Sequence, residues 1–557
     1  MDFLLLPTLV VFPVVAAVLC ALSGPRLARS VAVTAAVVQL GLALVASARF
    51  DWNLPAEQLN AVLGEFAPLG VALRVAADPL SLLLAVVTAV LALSAVLASG
   101  SRPGGGASKD HAFYGWLMLL VGVLTGVWLA RDLLLFYAFF ELVLVPLYFL
   151  IGTFGGVDRR QAATKLFVYT FAGSVLALPA ILFVGLSAGT FDMAEATRWA
   201  QLNLTDTQRA WVLAGLLASF GIKTPLFPLH TWQPLAMAES PGDGVVDAVG
   251  LVLKLGAYAM LKVALPIGLF SAEGLAVPAA HQLVALLAAV GIVYGALCAW
   301  VQTDVKRLLA YASVSHVGLI ILALLALTDL GLRAASLYLL NTAIITGALF
   351  LSVGYVYRRF GTRDLTELSG LGRVMPVGAF FIGLFTMASI GLPMLSGFIS
   401  EFLAIVATFR SPYLGVGFGV VAASGIVLGA IYMLSMLARL LFGPLKHPAL
   451  PGGAKPTDLS VREVTAVMPL ALLVLVLGVY PQPVLRTLEW TVAPLRAPVA
   501  AAEARAAEAR RAEAGSVEAG AAPSAGVQSR LAAEVGGDER SAVAGVRNER
   551  EEGGRTP

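Results

Sequence analysis

The sequence is poor in charge and in cysteine, and it lacks the common motifs of cofactor and metal binding. Only 13% of its 557 residues are charged, whereas a soluble domain carries about 25%. The two cysteines, Cys20 and Cys298, lie in apolar segments without a metal or redox spacing, so we predict small buried side chains. No glycine-rich phosphate loop, HExxH motif or ladder of haem-ligating histidines occurs. These absences argue against a cofactor or metal site in this chain.

The sequence is instead rich in long apolar runs. The chain is 59% hydrophobic with a mean hydropathy of +0.87, and runs of about 20 apolar residues, enough to span a membrane, recur almost to the tail. This predicts an all-α polytopic membrane protein. The predicted spans are 2–22, 31–49, 79–99, 112–130, 133–151, 165–187, 209–229, 244–265, 281–301, 306–327, 333–356, 375–409, 413–441 and 464–481. The first run lacks a basic n-region and a cleavage site, which predicts a retained helix.

Basic residues concentrate in alternate loops, for example at Arg159, Arg160, Arg358 and Arg359. If these loops face the cytoplasm, as such loops usually do, both termini lie in the periplasm. The localisation that follows is the bacterial inner membrane, with many passes. The tail at 490–557 is rich in Ala, Glu and Arg and is predicted to be largely disordered.

Two predicted spans contain residues that break helices. Pro225 and Pro228 interrupt GIKTPLFPLHTW, and Gly391, Pro393 and Gly397 interrupt MASIGLPMLSGFISEF. Breaks at corresponding places in two halves are typical of transporters with repeated units. Here each break falls in the fourth span of a five-span block. Because each block has an odd number of spans, we expect the two repeats to be inverted relative to each other. The predicted division is an N-terminal three-helix segment (1–111), a first repeat (112–265), a second repeat (281–441), a last helix (464–481) and the tail.

Ionisable side chains inside the predicted spans are few. They are Glu141 in span 5, Lys223 and His230 in span 7, Asp247 and Lys254 in span 8, His316 in span 10 and Glu401 in span 12. A charge at the centre of a bilayer costs at least about 2.5–3.5 kcal/mol, and rows of Asp, Glu, His and Lys mark proton relays. We therefore predict a lateral proton pathway that crosses both repeats.

Several of these residues also have a purely structural interpretation. Lys223 stands beside a proline break, where a lysine could cap freed carbonyls. His316 could be a core histidine with a satisfied ring. Asp247 lies seven residues before Lys254, which on one continuous helix places both on the same face roughly 10 Å apart. Asp247 could then be a static counter-ion or a member of the relay.

Five motifs, in this order, resemble the antiporter-like subunits of respiratory complex I. They are FFELVLVPLYFLIG, GIKTPLFPLHTW, GLVLKLGAYAMLK, VQTDVKRLLAYASVSHVGLI and GLPMLSGFISEFL, and the resemblance extends over nearly all of the chain before the tail. Within this family the chain looks like the proton-translocating M type of NADH:quinone oxidoreductase. Glu401 carries that distinction, since the sister subunits and the sodium/proton antiporter subunits usually have lysine at this point.

The resemblance implies a proton channel of two half-channels joined by a hydrated central axis. In it, Glu141 pairs with Lys223 and modulates it, Lys254 is the central relay, His316 connects, and Glu401 is the relay at the exit side. The NADH, flavin, iron–sulfur and quinone chemistry would belong to other subunits. The implied partners are chains L and N, the small membrane chains of complex I and the lipid bilayer.

The chain departs from the family pattern near both breaks. Leu235 and Met237 stand where an aspartate and a histidine are usual, and Thr342 replaces a histidine near the expected axis. A threonine can orient water but cannot hold the proton. The step from His316 to Glu401 is therefore expected to depend on water.

Other functions fit parts of the sequence. One is a cation/proton antiporter subunit of a multi-subunit exchanger, against which Glu401 argues. Another is a membrane-arm subunit of a related hydrogenase complex. A third is a degenerate structural spacer, which the departures at Leu235, Met237 and Thr342 motivate.

Overall fold

Apolar helices dominate the structure, because a helix satisfies its own backbone hydrogen bonds and so tolerates lipid. The computed structural model describes residues 2–54, 56–100, 110–250, 252–448, 456–495, 497–500 and 504. Within this part of the chain, 12 helices are long and apolar enough to cross a membrane. The predicted fold class, an all-α polytopic membrane protein, is confirmed.

The helices follow one another with short connections. The first half of the chain contains α1 (Leu5–Leu22), α2 (Ala28–Arg49), α3 (Pro79–Ala98), α4 (Asp110–Leu129), α5 (Leu133–Leu142), α6 (Leu144–Phe154), α7 (Arg159–Ser174), α8 (Ala177–Ala188), α9 (Met193–Asn203), α10 (Asp206–Lys223), α11 (Gln233–Glu239), α12 (Val245–Val249) and α13 (Val252–Ala259). The second half contains α14 (Pro278–Trp300), α15 (Val305–Leu325), α16 (Asp329–Phe360), α17 (Pro376–Ser389), α18 (Ser396–Arg410), α19 (Val416–Leu441) and α20 (Val461–Val479).

Two small antiparallel hairpins complete the ordered elements. The larger pairs β1 (Gln58–Phe66) with β2 (Val71–Ala77), and the smaller pairs β3 (Phe270–Ser271) with β4 (Gly274–Leu275). After α20 the chain is helical again over 482–495 and 497–500. Thr491 there is buried and donates to Asp78. The boundary predicted at residue 490 thus falls inside a helical segment. After residue 500, only residue 504 of the predicted tail is among the described residues.

The two predicted spans that are absent from the 12 long helices are 209–229 and 375–409. Both were predicted to be broken. The first helix stops at Lys223 and resumes at Gln233, since the prolines between them provide no backbone donor. The second stops at Ser389 and resumes at Ser396, past Gly391 with its φ of 70°. The predicted count of fourteen spans is not confirmed, but the breaks lie where the prolines and glycines predicted them.

The prediction of span 8 as one continuous helix is wrong. The helix is interrupted at Gly250, whose ψ of 63° is not helical, and π-helical turns follow from Met260 to Leu269. Pro266 lies within those turns, where a proline cannot donate to the preceding turn. Asp247 therefore precedes the interruption and Lys254 follows it, so the argument from a shared helix face does not hold.

One contact recurs in the two predicted repeats. Asp132 caps the start of α5 and forms an isolated antiparallel bridge with Asp192. Asp304 caps the start of α15 and bridges to Asp364 in the same way. Each aspartate precedes the second span of its five-span block, so the two blocks share this local arrangement. Their inverted relation stays a prediction.

Candidate functional site

The first candidate cluster lies at the break between α10 and α11. Lys223, the last residue of α10, is fully buried, and its ammonium group lies 3.0 Å from the Oε1 atom of Glu141. It also donates to the carbonyl oxygen of Phe140 at 2.6 Å and sits 3.6 Å from the centre of that residue's ring. The hydroxyl of Ser174 donates to the other carboxylate oxygen of Glu141 at 2.7 Å. The structure thus brings together the two residues that the resemblance implied as a pair.

Proline chemistry explains why Glu141 and Ser174 reach this point. Glu141 is near the end of α5, and Pro146 in the next turn leaves the carbonyl of Leu142 without its helical donor. Ser174 ends α7, and Pro179 has the same effect there. The helical hydrogen bonding is therefore interrupted at both joints beside the cluster, and freed backbone groups of this kind are tolerated in the protein interior rather than toward lipid.

The second candidate cluster lies at the break between α17 and α18. Glu401 on α18 and His316 on α15 approach to 3.7 Å. The hydroxyl of Tyr338 on α16 bonds to both, at 2.7 Å from Nδ1 of His316 and 3.0 Å from Oε1 of Glu401. A second buried hydroxyl, that of Tyr432 on α19, lies 3.5 Å from Nε2 of His316. The cluster is a hydrogen-bonded chain from imidazole to carboxylate through one tyrosine.

A small cavity adjoins this second cluster. A cavity of about 20 Å³ is lined by its ionisable and phenolic groups together with Ser315 and Ser389, which is room for about one water molecule. Gly391 lies against Glu401, and a β-carbon at this position would collide with the carboxylate. The helix break therefore serves to admit Glu401 as well as to end α17.

Lys254 lies between the two clusters along the series of packed helices. It is buried on α13, and α13 packs against α10, which carries Lys223, and against α15, which carries His316. No ion pair of Lys254 occurs within the described part of the chain. An unpaired buried lysine is costly in the charged form, so this side chain is well suited to gaining and losing a proton.

The remaining predicted residues are placed elsewhere. Asp247 forms a buried ion pair with Lys306 at 2.8 Å. His230 is buried against the rings of Phe227 and Tyr294. Thr342 donates to the carbonyl of Tyr338 in its own helix at 2.7 Å. Asp247 is thus not the counter-ion of Lys254, and Thr342 does not bridge His316 and Glu401.

Two residues that contact the candidate site residues were not predicted from the sequence: Tyr338 in the second cluster, and Lys306, the partner of Asp247. Tyr338 was missed because buried tyrosines are common in helices, although it lies one helical turn before Thr342 and therefore on the same face. Lys306 is the first residue of the predicted span 306–327, where a lysine is usual at the membrane surface, yet it is fully buried in the first turn of α15. Its signal was the neighbouring Asp304, a good N-cap residue, which begins the helix before the lysine.

A further charged group stands at the opposite end of span 8 from Asp247. Asp78 caps α3 and lies 2.7 Å from Arg131 and 3.0 Å from Lys262. Burial alone would raise the pKa of Asp78, but the charges of Lys262 and Arg131 outweigh this and lower it to about 2. Arg131 also pairs with Glu57 at 2.8 Å. The group fixes the start of α3 against the loop before α5.

Comparison with known proteins agrees with this architecture. The sequence profile of a family described as "NADH:quinone oxidoreductase/Mrp antiporter, TM" matches residues 130–428. NADH-quinone oxidoreductase subunit M of Rhodobacter capsulatus is 35% identical over 472 residues, which cover 82% of this chain and 89% of the relative.

Solved structures show the same fold. A chain in the structure of respiratory complex I from Thermus thermophilus with bound NADH superimposes with a TM-score of 0.76 at 29% identity, covering 91% of this chain and 99% of that one. A chain of the Mrp complex from Dietzia sp. has a TM-score of 0.77 at 22% identity, covering 90% and 99%. The latter likeness shows the fold alone.

The helices with their two breaks and buried ionisable clusters define an antiporter-like membrane subunit. The chain belongs to the NADH:quinone oxidoreductase/Mrp antiporter transmembrane family. Within it, the chain is of the M type, similar over most of its length to subunit M of NADH-quinone oxidoreductase. The resemblance inferred from the motifs is confirmed.

Proposed function

We propose that this chain translocates protons as a membrane subunit of an NADH:quinone oxidoreductase. The proton carriers are Glu141, Lys223, Lys254, His316 and Glu401. Redox chemistry in other subunits drives the transfer. The first cluster sets the charge state of Lys223, Lys254 passes the proton between the repeats, and the second cluster leads to the exit side.

The observation that carries this proposal is the row of packed helices between the two breaks. Lys223 on α10, Lys254 on α13 and His316 on α15 lie on helices that pack in that order. Each end of the row has a carboxylate within hydrogen-bonding or ion-pairing distance of its neighbours. A proton relay needs such a succession of titratable groups in the membrane interior.

Glu141 is placed to tune Lys223 electrostatically. A pair of unit charges about 4 Å apart at an effective dielectric of about 20 interacts by roughly 4 kcal/mol. Moving one charge through 100 mV requires about 2.3 kcal/mol. Making and breaking the Glu141–Lys223 contact is thus large enough to gate one proton against a membrane potential.

The assembly follows from the same proposal. Chains equivalent to L and N, with the small membrane chains, would flank this subunit in the bacterial inner membrane, with its termini in the periplasm. Flavin, iron–sulfur clusters and quinone would be bound by partner subunits. Within the described residues no group of three or more His, Cys, Asp or Glu side chains is arranged to hold a metal ion.

The test is replacement of the central lysine in the native complex. We expect Lys254→Ala to lower NADH-driven proton uptake into inverted membrane vesicles, and coupled NADH oxidation with it, while the complex still assembles. Lys446→Ala is the matched control, because that lysine is exposed and its ammonium group donates to the carbonyl of Thr366, outside both clusters. Wild-type pumping by an assembled Lys254→Ala complex would contradict the proposal and favour a structural spacer.

The transporter alternatives are separated by the composition of the purified complex. Flavoprotein and iron–sulfur subunits support the proposal. Small antiporter subunits, with cation exchange in the absence of NADH, would support an exchanger instead. A nickel–iron hydrogenase subunit would place the chain in a hydrogenase complex.

A further inference from the structure

Two cavities meet at the end of the protein where α11, α12 and α15 begin or end. The outer cavity has a volume of about 340 Å³ and is lined mainly by polar and charged residues, among them Glu239, Asp243 and Arg363. The inner cavity has a volume of about 30 Å³ and is lined by Gln233, Asp247 and apolar side chains. The inner volume accommodates one or two water molecules.

Ser240 lines both cavities. Its hydroxyl lies 2.6 Å from each carboxylate oxygen of Asp247 and 2.5 Å from the ammonium group of Lys306. Lys306 in turn lies 2.8 Å from Asp247 and donates to the carbonyls of Ser240 and Pro241. The three side chains therefore form one hydrogen-bonded group that separates the two cavities.

The inner cavity reaches toward the proposed carriers. It is lined by Trp232, whose indole N–H donates to the carbonyl of Ile222, the residue before Lys223. It is also lined by Gly250, four residues before Lys254. The buried ion pair thus stands between an open polar cavity and the region of the two central lysines.

A buried ion pair is weak evidence for a stabilising role, since apolar residues of similar volume are often as stable. In this chain the pair has the properties of a gate instead. Asp247 and Lys306 are both nearly inaccessible, at 3% and 1% side-chain exposure, yet a hydroxyl that lines the outer cavity contacts both. A carboxylate held by one cation and one hydroxyl can accept a proton through the hydroxyl, and the neutral acid then no longer holds the cation.

We propose that Asp247, Lys306 and Ser240 form the proton-uptake gate of this subunit. This inference rests on the proposed function and names the residues through which its first half-channel is filled. The ligand taken up is a proton delivered by water in the outer cavity.

The transfer conserves the proton at each step. A hydronium ion in the outer cavity gives a proton to the Ser240 hydroxyl oxygen and becomes water, while the hydroxyl passes its own proton to the carboxylate of Asp247. Neutral Asp247 releases Lys306, which keeps its two carbonyl acceptors. Asp247 then gives the proton to water in the inner cavity, and the carboxylate pairs with Lys306 again.

The test removes the gate without leaving a buried charge. In the native complex, the double variant Asp247→Leu with Lys306→Met replaces the pair by apolar side chains of similar size. We expect normal assembly and a loss of NADH-driven pumping to the level of Lys254→Ala. Asp247→Glu, which keeps the carboxylate, is expected to retain most of the pumping. Ser240→Ala keeps the ion pair, removes the hydroxyl and is expected to slow proton uptake.

The control is Asp78→Asn, which breaks the buried ion pairs with Arg131 at 2.7 Å and Lys262 at 3.0 Å, and none of these three residues lines either cavity. An assembled Asp78→Asn complex should pump normally. Wild-type pumping by the double variant and by Ser240→Ala would overturn the gate, as would an equal loss in the control. Because Lys254→Ala is measured beside them, failure of the gate alone is distinguished from failure of the proposed function.

Discussion

The two clusters at the helix breaks use the same kinds of residue in different ways. At the first break, Glu141 contacts a fully buried lysine directly at 3.0 Å. At the second, Glu401 and His316 are 3.7 Å apart, and the hydroxyl of Tyr338 bonds to both. One cluster is an ion pair, and the other is a hydrogen-bonded chain.

This difference assigns different tasks to the two carboxylates. A direct ion pair controls whether Lys223 is charged, because the carboxylate stabilises the ammonium form. A hydroxyl between an imidazole and a carboxylate can donate one proton while it accepts another, so it provides a path. We therefore propose that the first cluster modulates charge and that the second conducts protons, and the variants below separate these two roles.

The largest difference is expected in stability. Glu141→Ala leaves the ammonium group of Lys223 buried against the carbonyl and the ring of Phe140 without a counter-charge, and breaking a buried pair in this way costs about 3–5 kcal/mol. Glu401→Ala leaves His316 and Tyr338, which can remain neutral and bonded to each other. We therefore expect the thermal unfolding temperature of the purified complex to fall more for Glu141→Ala.

The companion variant Ser174→Ala tests the source of that loss. It removes one hydrogen bond from Glu141 but keeps the ion pair, so its effect should be about 1.5–3 kcal/mol, as for a hydrogen bond to a charged group, and smaller than that of Glu141→Ala. If Glu141→Ala and Glu401→Ala destabilise the complex equally, the first cluster is not a charged ion pair in contrast to a neutral second cluster.

A smaller but more specific effect is expected from Tyr338→Phe. The change keeps the ring and removes the hydroxyl that joins His316 to Glu401. Positioned proton transfer contributes factors of roughly 10² or more, and a hundredfold loss corresponds to about 2.7 kcal/mol. We expect NADH-driven pumping to fall strongly while assembly is unchanged.

Tyr355→Phe is the matched control on the same helix. Tyr355 is equally buried, and its hydroxyl bonds to the backbone carbonyl of Glu463 outside the cluster. It should leave pumping unaltered. If Tyr338→Phe pumps as the wild type does, protons pass from His316 to Glu401 without the tyrosine, and the contrast between the clusters disappears.

Local chemistry made the helix breaks predictable. Pro225, Pro228 and Gly391 act on their own backbone, so their effect can be inferred without knowledge of the partners of the segment. The pairing of Glu141 with Lys223 came from the resemblance to the family. The sequence by itself gives the cost of burying each charge but not its neighbour.

What could not be predicted depends on tertiary packing. Asp247 was assigned to the helix face of Lys254, because a single glycine at 250 does not by itself predict an interruption, and its partner Lys306 comes from a distant helix. Tyr338 carries no charge pattern, so its hydroxyl could be located only with α15 and α18 in place. Thr342 drew attention as a departure, although its hydroxyl bonds only within its own helix.

The smallest effect is expected from Gly391→Ala, which tests whether the second break holds Glu401 in position. The backbone there has a φ of 70°, which costs other residues about 1–2 kcal/mol. Gly189→Ala is the control, because its φ is 71° and no atom lies within 4 Å of an added β-carbon. The backbone strain should cost both variants similar stability.

Only Gly391→Ala brings a methyl group against the carboxylate of Glu401. It should therefore displace Glu401 from Tyr338 and reduce pumping, while Gly189→Ala reduces stability alone. If both variants pump equally well, Glu401 tolerates displacement, and the hydrogen-bonded chain is not the path. Because the backbone strain is matched, a difference in pumping between the two isolates the position of one carboxylate. It therefore measures how far proton conduction depends on the geometry of the second cluster.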